Sequence, residues 1–286
     1  MIDLTTVRKV HMAGIGGIGM SALAQLLLDR NIVVTGSDRA TSPVTELLGG
    51  KGIEVLMPQH AANVPVDADL LIYTEAIDED NPERLRAKEL GIPEYSYFEM
   101  LGVVSAGKRT VAVAGTHGKT TTTGMLARIL RDAGVSPTAV IGSLVREFGS
   151  NYLPGDSDWF VVEACEYRRD FLTLTPEILV ITNLELDHTD YYRDLADVQS
   201  AFRTLAQKVP AHGLIITDPT HPNIAPVLEG LTARIVDYTK EPAYETRFPG
   251  EYNKMNARAA ASASRAVEPA LTDAQIAASL AEFEGT

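Results

Sequence analysis

Arg-Thr-Val-Ala-Val-Ala-Gly-Thr-His-Gly-Lys-Thr-Thr-Thr-Thr-Gly, residues 109–124, opens with a short apolar run, Val111 to Ala114, that reads as a buried strand. Gly115, Gly118 and Lys119 follow, then a row of hydroxyls from Thr120 to Thr123. Met125, Leu126, Ile129 and Leu130 recur at helical spacing. Strand, glycine loop, Lys-Thr and helix in that order are the layout of a phosphate-binding loop. Glycines let the backbone approach a phosphate, and the N–H groups at the helix start point at it. Lys119 is placed to reach β- and γ-phosphates, and the Thr120 hydroxyl to ligate Mg²⁺. Val113 stands where the general pattern has its first glycine, so this turn is shorter. The threonine row fits a ligand site, because β-branched residues start helices poorly unless they cap or bind.

Upstream, Val7 to Ala13 reads as a strand and runs into Gly14-Ile15-Gly16-Gly17-Ile18-Gly19, with a helix continuing through Leu28. Asn31 to Gly36 is the next strand, followed by Ser37-Asp38. This is G-x-G-x-x-G between strand and helix, with an acid about 20 residues on, and it predicts a Rossmann-like unit. Gly14, Gly16, Gly17 and Gly19 are the candidate diphosphate residues, and Asp38 is expected near a ribose or base. A helix around Val44 to Gly50, a strand at Ala68 to Tyr73 and a helix opening at Asn81-Pro82 continue the unit. Ser105-Ala106-Gly107 marks a boundary, and the alternation of strand and helix restarts at Thr110.

Downstream of the loop, Asp158 to Ala164 and Glu177 to Asn183 read as strands. The first ends in Glu163-Ala164-Cys165-Glu166 and the second leads to Glu185-Leu186-Asp187-His188. Ligands of open α/β sheets sit at the carboxyl ends of strands. Glu163 and His188, near a phosphate loop, suit Mg²⁺ or Mn²⁺. Glu166, Glu185, Asp187 and Asp190, each taken alone, are expected to be solvated. Val198 to Val209 reads as a helix, and Gly213 to Thr217 and Arg234 to Asp237 as strands. Asn253-Lys254-Met255-Asn256-Ala257 opens an alanine-rich helix to about Val267. Asn253 and Asn256 share one helix face, and paired amides suit an adenine edge; Asn253 taken alone reads more readily as an N-cap. Thr272 to Glu284 is expected to be a last short helix capped by Thr272.

The chain has 286 residues, 45% of them hydrophobic and 22% charged, which is room for two globular domains. The expected division is 1–105, Rossmann-like, and 106–286, a phosphate-loop unit, both doubly wound α/β with mainly parallel sheets. A formal net charge of −13 with no basic patch argues against a nucleic-acid partner. One cysteine, Cys165, excludes an internal disulfide and points to a reducing compartment. No apolar run reaches the roughly 18 residues that span a bilayer, and the N-terminus does not read as a signal peptide. The expectation is a soluble cytoplasmic protein of undetermined oligomeric state.

Together these motifs resemble the Mur ligase family, ATP-dependent amide-forming enzymes of peptidoglycan synthesis. Gly115-Thr116-His117-Gly118-Lys119-Thr120-Thr121 is similar to the family's G-T-x-G-K-[ST] loop, which accounts for the short glycine spacing. Glu163 to Glu166 is similar to its E-A-D-E, Thr182 to His188 to T-N-[IL]-E-x-D-H, and Gly250 to Ala257 to G-x-H-N-x-x-N-A. The start, His11 to Met20, resembles the branch that acts on UDP-N-acetylmuramate. The resemblance implies a UDP-sugar site on the first domain, with Gly14, Gly16 and Gly19 at the diphosphate and Asp38 toward the uridine. In the second it implies ATP on Gly115 to Thr121, Lys119 at the phosphates, Thr120 and Glu163 on one Mg²⁺, His188 on a second, and Asn253 and Asn256 at the adenine. The implied substrates are UDP-N-acetylmuramate and L-alanine, joined through an acyl phosphate.

Cys165 stands where the family has Asp, Tyr252 where it has His, and Thr74-Glu75-Ala76-Ile77 where it has S-S-A-[IV], so that Glu75 would put a charge close to the anionic ligand the resemblance implies. The family's third, C-terminal domain is expected to be absent from this chain, which would then be a two-domain piece with little turnover of its own. Two other functions stay open on the residues: a UDP-sugar or ATP-binding module that forms no amide, and a related murein peptide ligase. A nicotinamide enzyme is a weaker fourth reading, since no hydride acceptor site is evident.

Overall fold

The computed structural model describes residues 2–286 as two compact units, one ending at Val104 and the other Ser105–Thr286. In the first unit β1 (Lys9–Ala13) leads through the glycine loop into α1 (Ile18–Asp29) and β2 (Val33–Ser37). Then come α2 (Pro43–Gly50), β3 (Glu54–Leu56), β4 (Leu70–Tyr73), α3 (Pro82–Leu90), β5 (Glu94–Ser96) and α4 (Tyr97–Ser105). The strands pair in the order β3-β2-β1-β4-β5, all parallel, so the order reverses at β1 and the glycine loop leaves the sheet at that switch point. Helix starts follow their side chains: Ser42 and Thr45 form a reciprocal capping box on α2, and Asn81 caps α3 ahead of Pro82.

The second unit begins with β6 (Arg109–Ala114) and α5 (Lys119–Asp132). It continues with β7 (Thr138–Val145), β8 (Ser150–Leu153), β9 (Trp159–Glu163) and β10 (Ile178–Ile181). The last elements are α6 (Leu195–Ala206), β11 (Leu214–Thr217), α7 (Ala225–Leu228), β12 (Arg234–Asp237), α8 (Glu251–Val267) and α9 (Asp273–Glu282). Its seven strands run β12-β11-β10-β6-β9-β7-β8, parallel except for the antiparallel pair β7–β8. β6 is central, buried from Thr110 to Ala114 between β10 and β9, so its loop opens in the middle of the sheet's carboxyl edge. α5 packs against α8 and α9 through Met125, Ile129, Ala260 and Leu280, all buried. Among the described residues no helix is long and apolar enough to cross a membrane.

The fold class is as the sequence suggests. β3, β5, β7, β8 and α7 are elements beyond those the sequence pattern predicts. That pattern also places α6 late: the helix starts at Leu195 because Asp194 accepts the Asp197 N–H as its cap. Asn253 is not a cap, since α8 starts after Gly250 and Asn253 lies inside its first turn.

Candidate functional site

The loop between β6 and α5 is held from the side by the end of β10. The Thr182 hydroxyl donates to the His117 carbonyl at 2.7 Å, and the Asn183 amide donates to the same carbonyl at 2.9 Å. The His117 N–H returns to Asn183 Oδ1 at 2.8 Å, and the Glu185 N–H donates to Thr116 Oγ1 at 2.9 Å. Tyr238, whose buried hydroxyl is pushed up to about 12, donates to the Thr182 carbonyl at 2.6 Å. Gly115 has φ +139°, and a Cβ there would lie 2.0 Å from Thr182 Oγ1. Gly118 has φ +80°, caps α5 without a side chain, and lies under Asn256. The first-turn amides of α5 therefore have no side-chain cap, which is the arrangement that takes an anion.

Lys119 Nζ donates to the Gly115 carbonyl at 2.6 Å, the Thr116 carbonyl at 3.1 Å and Glu166 Oε1 at 3.0 Å. The Thr120 hydroxyl donates to Glu163 Oε1 at 3.1 Å, and the Gly142 N–H to Glu163 Oε2 at 2.8 Å. Burial pushes the Glu163 carboxyl above its ordinary value; the Thr120 and Gly142 hydrogen bonds and the Lys119 charge offset this only in part. A carboxylate and a hydroxyl at the mouth of a phosphate loop are hard oxygen donors of the kind Mg²⁺ takes.

His188 has φ 51°, and its Nε2 lies 3.5 Å from Glu166 Oε1. Its ring is 4.9 Å from that of Tyr167, whose hydroxyl donates to Asp190 at 2.8 Å. Among the described residues no three His, Cys, Asp or Glu side chains converge as a ready metal cluster. Glu163 is paired with Thr120, and His188 with Glu166, as two separate groups. Burial raises the Cys165 thiol to about 11, so it stays protonated and inert at neutral pH. Thr121 lies in the first turn of α5, half-buried.

Glu166 overturns one expectation. It is not solvated but 2% exposed, because the turn after Cys165 folds it back onto Lys119. Asn253 and Asn256 also part company. Asn256 is buried on Gly118, and its amide makes no hydrogen bond to another described residue. The Asn253 amide turns back to the Pro249 carbonyl at 3.2 Å. Thr182, Asn183 and Gly142 were not singled out from the sequence as loop supports. The signal for Gly142 was a glycine inside an apolar strand, which marks close approach: a Cβ there would sit 2.3 Å from Glu163 Oε2.

In the first unit the Gly14 and Ile15 N–H groups donate to the Ser37 carbonyl at 2.9 and 3.0 Å. Gly14 has φ +78°, and Gly17 caps α1 without a side chain. A Cβ on Gly19 would lie 2.5 Å from the Tyr97 ring, so this glycine serves packing. Asp38 braces the loop: its Oδ2 accepts the Gly16 N–H at 2.7 Å and its Oδ1 the Arg39 N–H at 2.7 Å. Behind the loop lies a buried polar network. Glu83 accepts from Ser37 Oγ at 2.5 Å, from the Asn63 amide at 2.9 Å and from the His60 N–H at 3.1 Å, with His11 Nε2 at 3.3 Å.

Fold and loops together define a tandem of two doubly wound α/β units, each presenting a glycine loop at the carboxyl edge of its sheet. Residues 9–109 match the Mur ligase family catalytic domain and residues 113–244 the Mur ligase middle domain. The chain belongs to the Mur ligase family. It is 44% identical over 236 residues to the UDP-N-acetylmuramate–L-alanine ligase of Salinibacter ruber, covering 82% of this chain and 50% of that one. It is 42% identical over 238 residues to the ligase of the same name from Caldanaerobacter subterraneus, covering 83% and 52%. The chain thus spans about half the length of these relatives. Among solved structures, the Neisseria UDP-N-acetylmuramate:L-alanyl-γ-D-glutamyl-meso-diaminopimelate ligase superposes with a TM-score of 0.87 at 28% identity, covering 98% of this chain and 99% of that one. The UDP-N-acetylmuramate-alanine ligase of Thermotoga maritima superposes with a TM-score of 0.84 at 28% identity, covering 97% and 69%.

Proposed function

We propose that this chain serves the ATP-dependent joining of L-alanine to UDP-N-acetylmuramate. The observation that carries the reading is the Gly115–Thr120 loop, with Lys119 at its mouth and Thr120 hydrogen-bonded to Glu163. The names of the relatives at about 40% identity support the choice of substrates.

In this reading the first unit holds the UDP-sugar, with its diphosphate on the uncapped start of α1 at Gly14 to Gly19. Asp38 acts by keeping that loop in shape rather than by reaching the uridine. The second unit holds ATP, with its phosphates on the amides of Gly118 to Thr121 and Asn256 beside the bound nucleotide. Thr120 and Glu163 would hold one Mg²⁺ and His188 a second; the ion supplies positive charge to the γ-phosphate when bound. A carboxylate oxygen of the sugar's lactyl group attacks the γ-phosphorus, and the bond to ADP breaks. The alanine amine, having lost a proton, then attacks the acyl carbon, and phosphate leaves. Two anions meet in the first step, so Lys119 serves by opposing the charge that builds there.

The test is isotopic. UDP-N-acetylmuramate carrying ¹⁸O in its carboxylate should pass one ¹⁸O to inorganic phosphate, in step with alanine-dependent amide formation. Amide formed with release of phosphate free of ¹⁸O would contradict the acyl-phosphate route. The extent of the likeness to the Neisseria enzyme favours a second reading, in which the amine belongs to a peptide. Preference for L-alanyl-γ-D-glutamyl-meso-diaminopimelate over L-alanine in the same assay would establish it.

A further inference from the structure

We infer that Glu166 is a positioning residue that occupies the phosphate's place on Lys119 and must release it when a nucleotide arrives; this rests on the nucleotide reading of the loop. An ammonium has three N–H donors. Those of Lys119 go to Gly115 O, Thr116 O and Glu166 Oε1, which leaves none for a phosphate. The two carbonyls belong to the loop that must itself wrap the phosphate. Glu166 is the one charged acceptor of the three and comes from another element, 47 residues away.

The pair is built to hold and to open. The Glu166 side chain is 3% exposed, and the Tyr192 hydroxyl donates to its backbone carbonyl at 2.5 Å. Both carboxylate oxygens face the ammonium, Oε2 at 2.9 Å and Oε1 at 3.0 Å, and of the two only Oε1 takes a hydrogen bond from a described residue. Beyond Tyr167, Arg168 and Arg169 both sit in the left-handed region, with φ of 51° and 64°. Such strain persists where surrounding structure holds it, often at switch segments. Glu166 Oε1 also lies 3.5 Å from His188 Nε2, so the carboxylate has a polar neighbour besides Lys119.

Replacing the carboxylate by an amide has opposed effects on nucleotide binding. It removes an ion pair that must be broken and a negative charge that repels a triphosphate. It also loosens Lys119, but the Gly115 and Thr116 carbonyls still hold that side chain. The first two effects win.

The experiment is calorimetric titration of the full chain with the magnesium complex of the β,γ-imido analogue of ATP, and separately with AMP, which lacks the phosphates Lys119 reaches. E166Q should bind the triphosphate analogue about tenfold tighter than the wild type and AMP equally well. E166D keeps the charge but withdraws it by one methylene, and it should fall between; if E166Q does not fold, E166D carries the test alone. Unchanged or weaker triphosphate binding by the variant tested would overturn the inference, as would an equal shift for AMP. Absence of binding in every protein, the wild type included, would instead overturn the nucleotide reading beneath it.

Discussion

The side-chain amide of Asn256 rests on Gly118: a methyl group on that glycine would lie 2.3 Å from Asn256 Oδ1. The start of α8 thus lies against the start of α5. Gly118→Ala meets both a positive φ and this contact. Gly134, with φ +78° and nothing within 4 Å, is the matched control. Both alanines should cost about 1 kcal/mol of stability through backbone conformation. Gly118→Ala alone should weaken ATP binding, by about tenfold or more. Equal ATP affinity in the two variants would show that the contact does not shape the loop.

Glu163 should couple metal to pH. Burial holds its carboxyl above the ordinary range, so in the proposed site protons would compete with Mg²⁺ for it at a higher pH than at an exposed carboxylate. The Mg²⁺ dependence of nucleotide binding should weaken as pH falls into the mildly acidic range. Glu163→Ala should remove most of that dependence at every pH. Titrations with unchanged Mg²⁺ dependence in the variant would take Glu163 out of the metal site.

The buried Glu83 network gives a stability prediction with a definite sign. Burial raises the Glu83 carboxyl, but the His11, Ser37 and Asn63 hydrogen bonds outweigh it and hold the group below its ordinary value. A depressed carboxyl contributes fully above the unfolded value, about pH 4.3, and that contribution is lost as pH falls through the lower folded value. Glu83→Ala should cost the first unit about 3 kcal/mol at neutral pH, since buried donors lose their acceptor. It should also flatten the acid limb of the stability curve. Hydrogen exchange of the β1 amides reads both; an unaltered acid limb would show that Glu83 does not contribute to it.

Both glycine loops were legible because glycine, flanking strand and following helix are local signals. β3 and β5 were not, because Glu54–Leu56 and Glu94–Ser96 are three residues each, too short to show an alternation. The β7–β8 pair hides for another reason. Gly142, which interrupts its apolar run, is there to let Glu163 approach, and that contact is 21 residues away. Glu166 was misread because its burial depends on Lys119, 47 residues distant, and on two left-handed arginines that no propensity favours. Spacing puts Asp38 near a ribose or base. That its Oδ2 also accepts the Gly16 N–H, bracing the loop, is not legible from spacing.

On the proposed reading one chain carries two separate sites, one for a UDP-sugar and one for ATP. Calorimetry with UDP-N-acetylmuramate and with the magnesium complex of the imido ATP analogue tests it most directly, on the wild type and on Lys119→Ala. Lys119 lies in the second unit, and the Gly14–Gly19 loop in the first. The wild type should bind both ligands; Lys119→Ala should lose the nucleotide by orders of magnitude and keep the UDP-sugar. Equal loss of both ligands in a folded variant, or a wild type that binds neither, would contradict the claim.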